Sequence, residues 1–262
     1  MPLEKGSLIL VDYTARVKDT NEIFETTREE EAKKTDHYDP TRKYEPRLVS
    51  VGESWVLKGL DEALAKADVN DRLNVEVTPD KGFGERDPNK VRMIPQRKLG
   101  DKADEVSVGD AIEIDERTGI VRYVGSGRIQ VDFNHRFAGK TLLYDVNIMK
   151  KLESANDKIA ALIKRRMGLE DNKIKFTLAD PNLEIEVPEE AFLSEGLQVI
   201  KRAVSSDIFK FIPSIKTIRF IESYQAPSAE QKKEEQEPQQ QKGAEEKQAA
   251  TAVADTSSSK KK

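Results

Sequence analysis

Acid–base, thiol and metal chemistry have little to work with in this chain. It has no cysteine and two histidines, His37 and His135. Thiol catalysis, disulfides and thiolate metal sites are excluded, and two histidines without clustered partners do not compose a zinc site. A structural role is expected for His135, which sits at an Asn134-His135 corner. Gly125-Ser126-Gly127 reads as a hairpin turn and not as a phosphate loop. What remains is apolar. Residues 48–64 run from an alternating segment, through Gly52 and a polar pair, into a short helix, and the single tryptophan, Trp55, stands just ahead of it. Leu57, Leu60, Ala63 and Leu64 recur at helical spacing, so that helix has one apolar face. A strand that delivers such a helix beneath a sheet floors a small greasy pocket. The plainer alternative is that the helix, like most of its kind, covers a core to which Phe24, Leu57 and Tyr144 belong.

The elements that would position these residues follow in order. Residues 7–17 (SLILVDYTARV) alternate as a strand, 18–21 turn, and 22–27 return as a second strand. Residues 28–46 are almost wholly charged and polar and read as a long exposed excursion. A strand at 72–78 leads into a tight loop, 79–84, that holds Phe83 between two glycines. Residues 86–135 change style, with strand-like runs at 91–94, 111–114, 119–124 and 128–133 separated by turn signals. They carry nine Lys/Arg against nine Asp/Glu and so form no basic nucleic-acid platform. Residues 140–151 make a long final strand.

A third unit follows. Asn156 or Asp157 is placed to cap a helix carrying Ile159, Leu162, Ile163 and Met167, closed by Gly168. Residues 174–178 and 183–187 form a hairpin across Asp180-Pro181-Asn182. Pro188 starts a second helix with Phe192, Leu197, Ile200 and Val204 inward, and 217–221 closes as a strand. Such an αββαβ unit is small for independent stability, which predicts docking or dimerisation through it. From Ala226 onward Val253 is the one Leu/Ile/Val-type residue among seven lysines and seven acids. That composition predicts a disordered tail whose terminal lysines act as a solubiliser.

Over the whole chain, 35% of residues are charged and the net charge is −4, so no global field draws it to nucleic acid or to an anionic membrane. No apolar run approaches the roughly 18 residues of a membrane span, and the N-terminus lacks a signal-peptide apolar region. A cytoplasmic protein is the expectation.

Taken in order, the chain resembles FKBP-type peptidyl-prolyl cis-trans isomerases, in the long archaeal, SlyD-like form with a chaperone domain inserted in the flap. The matching segments are Val11-Asp12-Tyr13, Ile23-Phe24-Glu25-Thr26-Thr27, and Val51-Gly52 through Val56-Leu57-Lys58-Gly59-Leu60. Further on come Pro79-Asp80 with Gly82-Phe83-Gly84, Asn134-His135 with Ala138-Gly139, and Leu143-Tyr144-Asp145-Val146. They cover about 1–152; residues 153–225 fall where long archaeal members carry an extension, without a diagnostic motif. The resemblance implies an α+β protein: an FKBP-like antiparallel half-barrel around one helix (1–85 with 136–152), an inserted small β domain (86–135), a C-terminal αββαβ domain (153–225) and a disordered tail (226–262).

It also implies that the proline pocket falls on Tyr13, Phe24, Glu25, Val56, Leu57, Leu60, Phe83 and Tyr144. Three of these depart from the family's commonest pattern, which has Asp at Glu25, Trp at Leu60 and Tyr at Phe83. The hydroxyl that Phe83 lacks would bond the substrate carbonyl, and lowered isomerase activity is the corresponding expectation. No cofactor or metal is expected, and the histidine-rich nickel-binding tail of some SlyD-like proteins is missing. For the insert, an apolar groove gripping unfolded chains would use Val91, Met93, Ile94, Ile120, Val121 and Tyr123, unless these form the insert's own core. The expected partners are unfolded or proline-containing polypeptides and a second copy through 153–225, with no nucleic acid and no membrane. The rival is a non-catalytic holdase, or a ribosome- or RNA-associated module with a vestigial pocket.

Overall fold

The computed structural model describes residues 3–36, 38–102 and 105–224; His37 and the tail from 226 lie outside them. In chain order the first elements are β1 (Leu8–Val17), β2 (Ile23–Thr26), the single turn α1 (Glu29–Ala32), β3 (Arg47–Ser50), α2 (Lys58–Leu64) and β4 (Arg72–Val77). Next come β5 (Val91–Pro95), β6 (Ala111–Ile114), β7 (Arg117–Gly125), β8 (Arg128–Asp132) and β9 (Leu142–Lys151). The last are α3 (Ala155–Met167), β10 (Lys175–Ala179), β11 (Asn182–Val187), α4 (Leu197–Phe211) and β12 (Thr217–Glu222). The result is mixed α+β, with three sheets and few helices among the described residues.

β1 is the spine of the largest sheet. One edge pairs antiparallel with β9, which in turn pairs with β4. The other edge is divided: residues 8–11 pair with β3 and residues 14–16 with β2. The strand's two-residue period sends Ile9, Val11, Tyr13, Ala15 and Val17 into one core, where they meet Leu60 and Leu64 of α2. Leu8 and Leu10 join a different cluster. The approach to α2 is fixed by a buried acid: the Asp61 carboxylate accepts the backbone N–H groups of Gly52 (2.7 Å) and Ser54 (3.1 Å). Gly52 and Ser54 both take positive φ in this turn, a conformation with little strain for glycine. The polar excursion at 28–46 is more structured than its composition suggested. It contains α1, and the rings of Tyr38 and Tyr44 stack 5.8 Å apart.

β5, β8, β7 and β6 form a separate four-stranded antiparallel sheet in that order, over a small core of Ile94, Ile114, Ile129 and Val131. Its two connections to the rest are stitched together. Asp132, 4% exposed, accepts Arg86 (2.7 Å) and the Asn134 side-chain amide (2.7 Å), while Asn134 and Asp87 exchange two further hydrogen bonds.

β10, β11 and β12 make the third sheet; β11 pairs antiparallel with β10 and parallel with β12, which α4 makes possible as a crossover. Two expectations need correction here. The cap of α3 is Ser154, whose hydroxyl accepts the Asp157 N–H at 3.0 Å, and not Asn156 or Asp157. Pro188 opens only a 3-10 turn (Glu189–Ala191), and α4 starts after Gly196, which takes a left-handed conformation that interrupts the helix. The inward face of α4 is therefore Val204 and Ile208, with Ile200 partly covered. Ile159, Leu162 and Ile163 of α3 pack with Leu183, Ile185, Val204 and Ile208, and the same cluster takes in Leu8 and Leu48 from the first sheet. Trp55 joins it too, edge-on to Phe211 at 5.5 Å and under the Arg165 guanidinium at 3.7 Å. The third unit thus docks on the outer face of the main sheet in the same chain.

Candidate active site

On the inner face of the main sheet the side chains singled out from the sequence converge. Tyr13, Leu60 and Tyr144 are buried, and Phe24, Val56, Leu57 and Phe83 are partly buried against them. β1 supplies Tyr13, β2 supplies Phe24 and Glu25, the turn into α2 supplies Val56 and Leu57, and β9 supplies Tyr144. The register Ala15↔Tyr144 sets Tyr144 diagonally across from Tyr13, with ring centroids 6.0 Å apart. Phe24 meets Tyr144 edge-on at 6.3 Å. Leu57 caps α2, so its N–H precedes the first helical turn and has no acceptor within the helix.

Two aromatic neighbours were not legible as site residues. Phe137, 5% exposed, lies 4.4 Å from Phe24 and 5.5 Å from Phe83, joining the two walls. His135 stacks on Phe83 at 4.2 Å. Both sit in the corner 134–139, where no periodicity marks a side chain as inward-facing. The imidazole keeps an exposed side, and partial desolvation and the neighbouring Arg136 lower it from its ordinary range. Burial, and then Glu25, push the Tyr13 hydroxyl up to about 12; burial likewise raises Tyr144. Glu25 is engaged by Arg47 at 2.8 Å, and the same guanidinium donates to the Tyr13 hydroxyl at 2.9 Å. Arg47 had no sequence signal, because its partners lie on two other strands. The site offers aromatic faces, aliphatic walls and one ion-paired carboxylate.

Residues 2–149 match the family described as FKBP-type peptidyl-prolyl cis-trans isomerase, more than half the chain. The chain belongs to that family. The enzyme class that goes with it is the peptidyl-prolyl cis-trans isomerase. Residues 155–225 match a second family, described as FKBP26_C-terminal, so the third unit too is of a recurring kind. A short-type peptidyl-prolyl cis-trans isomerase of Methanocaldococcus jannaschii is 31% identical over 146 residues, which is 56% of this chain and 92% of that protein. The FKBP-type 16 kDa isomerase of Escherichia coli is 26% identical over 153 residues, 56% of this chain and 93% of that protein. The SlyD isomerase of Haemophilus influenzae is 24% identical over 164 residues, 61% of this chain and 78% of its own length.

In this FKBP-type chain the six residues named for the insert divide between its two faces. Ile94 and Val121 are buried, so they serve the insert's interior and not an open groove. The reason is the strand period: Ile94 opposes Ile129, and Val121 opposes Val131, on the inward face. On the outward face Met93 and Tyr123 both oppose Gln130 from either side and are about half exposed, at 48% and 50%. Val91 and Ile120 both oppose Asp132 in the next row and are partly covered. Among the described residues no helix is long and apolar enough to cross a membrane.

Proposed function

We propose that this isomerase rotates X-Pro bonds in the pocket lined by Tyr13, Phe24, Val56, Leu57, Leu60, Phe83 and Tyr144, and that its insert holds unfolded chains nearby. The planar amide resists rotation by roughly 18–20 kcal/mol because resonance separates charge between nitrogen and oxygen. Twisting localises the nitrogen lone pair and removes that separation. A dry aromatic and aliphatic pocket favours the twisted, less polar state over the planar one, which is differential transition-state binding. A thousandfold acceleration needs about 4 kcal/mol. Val56 and Leu57 form the floor and hold the substrate carbonyl through a backbone N–H, Phe24, Leu60, Phe83 and Tyr144 form the walls, and Glu25 gives one wall its polarity.

The observation that carries this reading is the meeting of Tyr13, Phe24, Leu60 and Tyr144 in one cluster whose tyrosines are kept protonated by burial. The test is protease-free isomerisation of a short X-Pro peptide. Leu57→Ala and Tyr144→Ala are expected to lower kcat/KM at least tenfold with unchanged circular dichroism. Wild-type-like rates in both would remove the pocket from the mechanism.

The holding function is supported by the outward row of Met93 and Tyr123, a flexible thioether beside an aromatic, which suits clients of varied sequence. Deleting 86–133 and bridging the gap should spare short-peptide isomerisation while slowing catalysed refolding of a protein; equal loss of both would count against the division. A second copy is also part of the reading. Val199 on α4 is 72% exposed and Phe209 42%, apolar surface suited to a self-complementary contact. Sedimentation equilibrium should give a dimer that Val199→Asp converts to monomer; a monomer at all concentrations would dismiss it.

A further inference from the structure

β1 shares one edge between β3 and β2, and Thr27 fills the join, donating its N–H to the Tyr13 carbonyl at 2.9 Å and accepting the Tyr13 N–H on its hydroxyl at 2.8 Å. Beyond this join, between the main sheet, residues 42–47 and α3, lies a cleft of about 900 Å³. Tyr13, Glu25 and Arg47 line it, and Tyr13 and Glu25 are also residues of the proposed proline pocket, so the cleft borders that pocket. Its floor is apolar and low, with Leu10 and Leu48 from the sheet and Ala160 and Ala161 from α3.

The walls are charged and unbalanced. Seven Lys/Arg and four Asp/Glu line the cleft. The four acids are taken up by three of the cations: Glu25 by Arg47, Asp157 by Lys150, and both Glu45 and Asp171 by Lys164. Arg166 is held by Asp207 at 2.6 Å from outside the cleft. Arg42, Lys43 and Arg165 have no close carboxylate partner among the described residues. Arg42 lies over the Tyr44 ring, Lys43 reaches Glu45 only at 3.8 Å, and Arg165, stacked over Trp55, reaches Asp207 only at 3.7 Å. The Arg165 guanidinium is held below its ordinary range by burial and by the like charges of Arg166 and Arg47. Cations crowded over an apolar floor, next to a site that binds an extended chain, are short of an anion.

We infer that this cleft is an extended subsite of the isomerase that takes acidic residues flanking the proline, so that the enzyme prefers X-Pro bonds set in Asp- or Glu-rich sequence. The inference rests on the proposed pocket. A chain seated against Phe24 and Tyr144 crosses the Tyr13–Arg47 edge and lays its next carboxylates against Arg42, Lys43 and Arg165. These contacts are made equally in the planar and twisted states, so they act on KM and leave kcat alone.

The experiment compares two peptides with the same Leu-Pro centre, one flanked by alanines and one by glutamates, using the full chain. The acidic peptide is expected to show about fivefold higher kcat/KM at low salt, carried by KM, as two or three partly exposed ion pairs would give. The ratio should fall to about one at 1 M salt, where the Debye length is about 3 Å. Arg42→Glu with Lys43→Glu should abolish or invert the ratio, with Trp55 fluorescence reporting that the docked unit is intact. Equal kcat/KM for the two wild-type peptides would overturn the inference, as would a preference that survives both salt and charge reversal. Failure to isomerise either peptide would instead overturn the pocket reading beneath it, and the salt titration of the wild type needs no variant to fold.

Discussion

In the proposed pocket, Phe83 is the residue whose substitution tests the site most directly. Its ring lies between His135 at 4.2 Å and Phe137 at 5.5 Å, so its apolar part is well used. Under the proposed mechanism, what it lacks is a hydroxyl to meet a substrate carbonyl. Phe83→Tyr is predicted to raise kcat/KM about fivefold, the worth of one neutral hydrogen bond of about 1 kcal/mol. Protease-free kinetics on a short peptide would measure it, and an unchanged rate would mean that the Leu57 N–H suffices. The tyrosines beside it have a different task. Tyr13 stays protonated at neutral pH and is pinned by Arg47, which fixes the edge of the pocket without entering proton transfer.

At the scale of elements, the joint between the insert and the main sheet is a carboxylate clamp. Burial alone would raise the Asp132 carboxyl, but hydrogen bonds from Asn134 and the Arg86 guanidinium outweigh it and hold the group below the ordinary carboxylate range. A group whose folded pKa is depressed contributes stability above its unfolded value, near 3.9, and loses it as pH falls through the lower folded value. The backbone amides at 87–91 and 132–134 are therefore predicted to keep their hydrogen-exchange protection at pH 5 and to lose it below about pH 4. Asp132→Asn should give the same loss already at pH 7. Protection unchanged in that variant would show that the backbone alone holds this joint.

The whole molecule is held together by a core that belongs to two units at once. α3 packs on Leu8 and Leu48, Trp55 sits between Phe211 and Arg165, and ion pairs cross the seam from Lys164 to Glu45 and from Lys210 to Glu53. Leu162 is fully buried in this cluster. Leu162→Ala is predicted to cost about 3 kcal/mol. Because the seam is shared, urea unfolding followed by Trp55 fluorescence and by far-ultraviolet circular dichroism should shift together. A shift in the fluorescence transition alone would mean that the third unit unfolds independently. The same seam forms one wall of the cationic cleft, so the proposed substrate preference would depend on docking of the third unit.

Much was determined by the order of residues alone. The alternation in 7–17, the helical spacing of Leu57, Leu60 and Leu64 and the turn signals between short strands rest on local backbone preference and period. They specify strands and helices before any long-range contact forms. The family followed from the same local segments. Local signals also misled where the chain breaks its own pattern: Ser154 took the cap one residue ahead of the helix, and the left-handed Gly196 cut short a helix that Pro188 was expected to start. Which side a strand residue faces was decided only by pairing register, and this sent Ile94 and Val121 inward and left Met93 and Tyr123 outside. Trp55, one turn before the pocket helix, faces away from the pocket altogether. Tertiary packing alone brought Phe137 to Phe24, Arg47 to Tyr13 and α3 to Leu8 and Leu48, because each of these contacts joins residues whose separation along the chain carries no period to read.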